Sequence, residues 1–351
     1  MKTSNIHDVQ ELKNTIIPDR FVRDLHERPL LPTFSNNNIL NQVPIIDLAK
    51  INDGDLSEIA NLAVACQDWG FFQVINHGIG EKLLDNIENK AMEFFMLPLQ
   101  EKQKYEMTPG AFQGYGQAFV FSDQQKLDWC NMFALGVDPP FIRNPNLWPT
   151  NPPNFSETIE LYQSEIGKLC KKVLRYIAMS LNVRAEVFEE IFGENVQAIR
   201  MNYYPPCPRP DLVLGLSPHS DGSAITILHQ KKDSSVGLQF LKENNWVSLQ
   251  PVPNSLVVNI GDTIEVLTNG KYKSVEHRAV TNEVKDRLSI VTFYAPSYQV
   301  ELGPMSEFVN QNNPVKYRYY NHGEYSRHYV SRKLQGKRTL EFAKLTTDAM
   351  A

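Results

Sequence analysis

No apolar run in this sequence approaches the roughly 20 residues that a membrane-crossing helix needs, so no membrane partner is expected. Cysteine is scarce: four residues in 351, Cys66, Cys130, Cys170 and Cys207, share no paired spacing. A disulfide framework or a thiolate zinc site needs clustered thiols, so neither is expected and a reducing compartment is. A basic excess is missing as well. With 35 Lys and Arg against 40 Asp and Glu, the formal net charge is −5. Nothing then displaces counterions from phosphates, which argues against a nucleic-acid partner. The densest basic cluster, Arg332-Lys333 with Lys337 and Arg338, reads as a solvated helix face. The N-terminal segment carries Asp8, Glu11, Asp19, Asp24 and Glu27 and lacks the apolar stretch of a secretory signal. What remains is a cytoplasmic protein, expected to be a monomer and to act on a small molecule.

With 42% apolar residues the chain can bury a large core, as one big domain or two closely packed lobes. Residues 1–43 form an expected arm, with a short helical stretch from Val9 to Lys13, then Pro18, Pro29, Pro32 and the polar run Ser35 to Asn38. Residues 44–195 read as helix-rich. Strand patterns at 44–48 and 71–76 flank a helix over 55–68, and longer helices follow over 81–95 and 156–181. Between 196 and 300 short β-rich runs recur, including 198–204, 212–216, 224–228, 256–260, 263–267, 275–280 and 288–294, punctuated by Pro205-Pro206, Asn244-Asn245 and Asn269-Gly270. Strands at this spacing imply a sandwich or jelly roll. Residues 301–351 read as a C-terminal helical region.

The sharpest local feature is Pro218-His219-Ser220-Asp221. On a strand or its end, residues two apart point to one side, so His219 and Asp221 offer an imidazole nitrogen and a carboxylate oxygen to one cation. His277, inside another strand pattern, supplies a second imidazole. Two histidines and one carboxylate leave coordination positions open, as non-haem Fe(II) requires to bind a cosubstrate and dioxygen. A His-x-Asp pair alone is a weak signal, and a lone strand histidine is more often packed in a core. Ten residues after His277, however, Arg287-Leu288-Ser289 places a guanidinium and a hydroxyl on one strand face. Such a fork suits a buried carboxylate; a buried Arg–Glu pair is the plain structural alternative. Alternation also puts Arg200, Asn202 and Tyr204 on one face, just before Pro205-Pro206-Cys207-Pro208. The Tyr204 hydroxyl is placed either to donate to an acid oxygen or to plug the strand end.

The ordered set Asn202-Tyr203-Tyr204-Pro205-Pro206-Cys207-Pro208, His219-x-Asp221, His277 and Arg287-x-Ser289 resembles the plant 2-oxoglutarate/Fe(II)-dependent dioxygenases. So does the stretch from Trp69-Gly70-Phe71 to His77-Gly78, and the resemblance runs from about residue 8 to 345. It implies a mainly β fold with flanking helices, built on a distorted double-stranded β-helix (jelly-roll) core. It implies His219, Asp221 and His277 as metal ligands and catalytic residues, and Arg287 and Ser289 as receptors of the distal carboxylate, supported by Tyr204 and Asn202. The cofactors implied are Fe(II), 2-oxoglutarate as cosubstrate and dioxygen, with ascorbate as activator. The stretches 113–119, 126–136, 142–145, 320–323 and 333–337 resemble a narrower group, oxidoreductases of strigolactone biosynthesis. That points to an apolar apocarotenoid methyl ester, methyl carlactonoate, as substrate.

A substrate pocket should be apolar with few polar contacts. Tyr115, Phe119, Phe133, Arg200 and Phe293 are its candidate residues, with Phe121 nearby in sequence; each aromatic is individually as consistent with plain core. Arg200 is the odd one, a cation on the presumed inner face. His77, His229, Trp69, Trp129, Trp246 and Asp262 read as structural, and His322 and His328 are assigned no chemistry. Three rivals stay open: an alkaloid or phenolic O-demethylase or hydroxylase, an oxidase of this fold that uses no 2-oxoglutarate, and a non-catalytic ligand-binding module of the fold, disfavoured because all three candidate metal ligands are present. The Arg-x-Ser pair occurs in such oxidases too and does not separate them.

Overall fold

In the computed structural model, which describes residues 8–12, 16–29, 43–108 and 110–345, the chain enters through β1 (Ile45–Asp47), α1 (Leu48–Asn52) and α2 (Leu56–Val64). Asp47 and Asp55 cap the two helices, their carboxylates accepting from the Ala49 and Ser57 backbone N–H groups. Beyond α2 the coil widens, with Gly70 N–H donating to the Ala65 carbonyl at 2.9 Å. Gly70 ends it at φ 64°, where a Cβ would sit 2.4 Å from the Lys273 carbonyl oxygen, so only glycine fits. The chain continues through β2 (Phe71–Ile75), α3 (Glu81–Phe95), α4 (Leu99–Gln103), β3 (Gly114–Gly116), β4 (Asn131–Asp138), α5 (Phe155–Ser180) and α6 (Val187–Phe192). The second half contributes β5 (Val196–Tyr204), β6 (Leu216–His219), β7 (Ile225–Gln230), β8 (Leu238–Lys242), β9 (Asn245–Ser248) and β10 (Leu256–Ile260). After these come α7 (Asp262–Leu267), β11 (His277–Ala279), β12 (Arg287–Ala295) and α8 (His322–Val330).

An eight-stranded sheet in the order β1-β2-β10-β7-β12-β5-β4-β3 faces a four-stranded sheet, β6-β11-β8-β9. One face of the large sheet rests on α3 and α5 through a core that includes Phe94, Phe133, Phe155, Ile166, Ile199 and Ile290. Phe94 lies 4.5 Å from Phe133 and 5.3 Å from Phe155 between ring centroids, contacts worth about 0.5–1.5 kcal/mol each beyond burial. The other face meets the small sheet through Phe71, Phe240, Val257 and Val291. This is the jelly-roll core with flanking helices that the strand spacing predicts. Four of the eight strands, β1 to β4, come from before residue 195, so the large sheet runs across the expected division there.

Two local expectations are corrected. Residues 263–267 are not a strand but part of α7, where Asp262 and Glu265 lie in a first turn that favours acidic groups. All six residues of α7 are buried, and a short, wholly buried run carries no usable periodicity. The run 212–216 is also no strand; β6 begins only at Leu216. In the C-terminal region α8 is the one α-helix among the described residues, beside a pairing of Glu301–Leu302 with Tyr320–Asn321. The arm is tied down by Asp8, a buried carboxylate that accepts from Lys102 Nζ, Asn131 Nδ2 and the Tyr115 hydroxyl. The polar run Ser35 to Asn38 lies outside the described residues. No helix among the described residues is long and apolar enough to cross a membrane.

Candidate metal and cosubstrate site

β6 ends at His219 and β11 starts at His277, and the antiparallel register sets these two residues opposite each other. Their ring centroids are 4.2 Å apart. Asp221 follows in the turn after β6, with each imidazole Nε2 3.7 Å from one of its carboxylate oxygens. All three side chains are buried, and their ligand atoms lie within 4.8 Å of one another. His219 Nδ1 faces the Ser217 carbonyl at 2.8 Å and His277 Nδ1 the Val275 carbonyl at 3.1 Å. Those acceptors assign the ring protons to Nδ1 and leave both Nε2 lone pairs toward Asp221. His219 Nε2 is buried with no hydrogen-bond partner among the described residues, a cost of about 1–3 kcal/mol unless a cation takes its lone pair. Burial and the adjacent His277 push the His219 imidazole down to about 3, so it is neutral and able to ligate. Burial raises the Asp221 carboxyl, but the adjacent His277 and His219 and the hydrogen bonds it accepts outweigh that, and the net direction is below the usual carboxylate value. Its Oδ2 accepts from Thr226 Oγ1 at 2.7 Å and Asn259 Nδ2 at 2.8 Å, which fixes the carboxylate. Two imidazoles with their Nε2 atoms turned to one point and one oriented carboxylate fit Fe(II).

The three candidate ligands come from β6, the turn after it and β11 of the small sheet; the candidate receptor for a carboxylate comes from the large one. On β12 and β5, Arg287 pairs opposite Tyr204 and Ser289 opposite Asn202. All four line one narrow cavity whose other end holds Asp221 and His277. Arg287 is buried, and its Nε donates to Gln230 Oε1 at 2.8 Å. Its Nη2 has no partner, and no carboxylate pairs with it among the described residues. Burial depresses its pKa, but a guanidinium stays charged. The guanidinium lies 5.1 Å from the Tyr204 ring centre, and Asn202 Nδ2 donates to Ser289 Oγ at 3.3 Å. A metal site at one end and an unpartnered cationic fork at the other match a short dicarboxylate, not a buried Arg–Glu pair.

A second cavity of about 520 Å³ adjoins the first. Phe119, Arg200 and Phe293 line it, with Ile142, Tyr329 and Val330, and Arg200 borders both cavities. Arg200 is buried, with its guanidinium 5.0 Å from the Phe293 ring centre. Among the described residues no Asp or Glu lines the large cavity; Arg327 stands at its exposed rim. Tyr115 and Phe133, expected as substrate contacts, lie on the opposite face of the sheet. Phe133 packs on Phe94, and Tyr115 faces the same layer with its hydroxyl 3.1 Å from Asp8. The register explains the correction: Gly114, Ala134 and Arg200 align across β3, β4 and β5, so the next residue of each strand turns toward the helices. Phe121 is 47% exposed and borders a surface cleft instead. His77 and His229 hold structural partners, the Asn254 carbonyl at 3.2 Å and the Glu88 carboxylate at 2.8 Å, whereas His322 lines the large cavity. Sequence reasoning did not find Thr226, Asn259 or Gln230. Thr226 and Gln230 sit on β7 opposite Phe293 and Ser289, a neighbourhood that only pairing reveals.

Residues 195–296 match the model of the 2OG-Fe(II) oxygenase superfamily, and residues 43–151 that of the non-haem dioxygenase in morphine synthesis N-terminal. The chain is similar to lateral branching oxidoreductase 1 of Arabidopsis thaliana, at 62% identity over 98% of this chain and 97% of that protein. Codeine O-demethylase of Papaver somniferum is 41% identical, with 97% of this chain and 96% of that one covered. The crystal structure of JOX2 in complex with 2OG, Fe and JA superposes with a TM-score of 0.89 at 35% identity, covering 97% of this chain and 98% of that one.

Proposed function

Because the chain belongs to the 2OG-Fe(II) oxygenase superfamily, we propose that it hydroxylates the ester methyl of methyl carlactonoate, an apolar apocarotenoid ester. The observation that carries this reading is the wall of the large cavity, which is apolar, has Arg200 at its inner end and presents no carboxylate among the described residues. A protonated alkaloid amine would find no counter-ion there and would be repelled by Arg200, whereas an ester carbonyl can accept from it. Asp123 and Asp128, the two acids in the covering segment, do not contribute: Asp123 is exposed and Asp128 is held by Arg23 and Ser217. The 62% identity to lateral branching oxidoreductase 1 supports the same choice.

His219, Asp221 and His277 would hold the iron, with Thr226 and Asn259 orienting the carboxylate. Arg287 and Ser289 receive the distal carboxylate of 2-oxoglutarate, with Tyr204 and Asn202 beside them. Iron and 2-oxoglutarate, when bound, supply the oxidation: dioxygen is split, one atom leaving in succinate with release of carbon dioxide and the other entering the substrate. Arg200 donates to the ester carbonyl and so turns the methyl group toward the metal end, while Phe119 and Phe293 exclude water. The hydroxymethyl ester formed can lose formaldehyde to give the free acid.

Incubation with Fe(II), 2-oxoglutarate and either methyl carlactonoate, carlactonoic acid or benzylisoquinoline alkaloids, read by mass spectrometry, tests this. The expected product is the ester with one oxygen added at the methyl, accompanied by free acid, formaldehyde and an equal amount of succinate. Oxidation without succinate would favour an oxidase. A higher kcat/KM for any alkaloid would overturn the substrate assignment.

A further inference from the structure

The wall of the large cavity and the loop carrying the metal ligands are joined by two phenol groups. Tyr325 and Tyr329, one turn apart on α8, both line the cavity. The Tyr329 hydroxyl donates to the Ser220 carbonyl at 2.8 Å, and Ser220 is the residue between His219 and Asp221. The Tyr325 hydroxyl donates to Asp262 Oδ2 at 2.6 Å, and Ser220 Oγ donates to the same oxygen at 3.2 Å. Asp262 in turn donates its backbone N–H to the Asp221 carbonyl at 2.8 Å. Both rings also press on the ligand loop: a Cβ on Gly222 would lie 3.0 Å from Tyr329 Cδ2 and 3.3 Å from Tyr325 Cε1. On the cavity side, Phe119 meets Tyr329 edge to face at 5.9 Å.

We propose that Tyr325 and Tyr329 are positioning residues that tie the substrate-cavity wall to the His219–Asp221 loop, so that the contents of the cavity are felt in the geometry of the metal ligands. Each ring can be displaced by whatever fills the cavity, and each hydroxyl carries that displacement into the ligand loop. A small shift at the Ser220 carbonyl reorients His219 and Asp221 together, because they flank it. The inference rests on the metal assignment and not on which substrate occupies the cavity.

The test uses Tyr325→Phe and Tyr329→Phe, which keep the rings in the wall and delete only the hydroxyls. Apoprotein saturated with 2-oxoglutarate is titrated anaerobically with Fe(II), and the visible charge-transfer absorption is followed. Each variant should raise the Kd for Fe(II) by about tenfold or more. Affinity for 2-oxoglutarate, set at the far end by Arg287, should stay within about twofold of wild type. Tyr319→Phe is the control, since its hydroxyl donates to the Pro304 carbonyl at 3.1 Å and touches no ligand; it should match wild type in both readings. Adding methyl carlactonoate should shift the absorption in the wild type, and Tyr329→Phe should abolish most of that shift. If the ester shifts nothing even in the wild type, the substrate assignment fails while the Fe(II) titration still decides the positioning role. Wild-type Fe(II) affinity in both variants, or equal weakening in Tyr319→Phe, would overturn the proposal.

Discussion

Replacing Arg287 by alanine should raise the KM for 2-oxoglutarate steeply while leaving kcat at saturation nearly unchanged. The side chain is 2% exposed and, among the described residues, is paired with no acid and keeps a guanidinium nitrogen without any partner. Its Nε is already committed to Gln230, so the free edge of the fork is what an incoming carboxylate meets. Deleting one member of a desolvated charge pair costs on the order of 2–5 kcal/mol. At about 1.4 kcal/mol per decade, that is a rise of roughly 30-fold to several thousandfold in KM. Because the contact is to the end of the cosubstrate that does not react, it is equally strong before and during the reaction, and the loss falls on KM. Arg287→Lys keeps the charge but loses the bidentate fork and should lie between. Ser289→Ala, which removes one hydroxyl donor to a charged group worth about 1.5–3 kcal/mol, should raise KM by roughly 10- to 100-fold, less than Arg287→Ala. Succinate formation measured against 2-oxoglutarate concentration reads all three. A KM for Arg287→Ala within about threefold of wild type, in protein that melts normally, would show that the cationic fork is structural and that the cosubstrate binds elsewhere.

His219→Ala, Asp221→Ala and His277→Ala should each remove turnover with little change in secondary structure; wild-type activity in any one sinks the metal assignment. Asn259→Ala frees the Asp221 carboxylate from one of its two donors and should weaken Fe(II) binding by about 10–100-fold in an anaerobic titration, with the 2-oxoglutarate KM little changed. The fold should also lose stability in acid through His322, which burial pushes down to about 4 from an ordinary 6.5. Between those values the unfolded chain binds a proton that the folded one refuses, so stability rises with pH across this window. It is complete above about 6.5, and about 3 kcal/mol is gone by pH 4. His322→Gln should flatten that slope in urea titrations at several pH values; an unchanged slope would assign the acid loss to other groups.

The candidate metal ligands and candidate carboxylate receptors are legible as a cluster because the chemistry they would serve restricts both residue type and spacing. Histidine and aspartate two apart at a strand end, or arginine and serine two apart on a strand, share a face whatever the rest of the fold does. On β5 the polar residues Arg200 and Asn202 also mark which face is which. On β4 no such mark exists: residues 131–137 are buried on both faces, so alternation says that Phe133 and Ala134 oppose each other but not which looks toward the metal. The expectation for Phe133 and Tyr115 rests only on their place in the covering segment; pairing puts these two side by side on the helix-facing side, and Ala134 lines the cavity instead. Thr226 and Asn259 were invisible for a different reason. Their role exists only through pairing between distant strands, and neither stands in a local pattern that singles it out.

Arg200 leads to the remaining prediction. Opposite Val291 and Ala134, and two residues before Asn202, it is delivered by strand alternation to the boundary of the two cavities. Its Nε has no hydrogen-bond partner, and no carboxylate lies within ion-pair distance of it among the described residues. The face of Phe293 offsets only about 0.5–2 kcal/mol, against a desolvation cost of several kcal/mol for a buried ion. Arg200 is therefore a buried cation without a protein acceptor among the described residues, and a carboxylate satisfies it better than an ester carbonyl does. The demethylated acid lacks the methyl group that is oxidised, yet it should bind more tightly than the ester. It should act as a competitive inhibitor whose Ki lies below the ester KM by about tenfold, the gap between a charge-assisted and a neutral contact. Arg200→Gln should close that gap, raising the Ki for the acid far more than the KM for the ester. Progress curves with added carlactonoic acid measure both. If the acid inhibits no better than the ester binds, or if Arg200→Gln weakens both equally, Arg200 does not contact the substrate's oxygens and the orientation argued for the ester methyl fails with it.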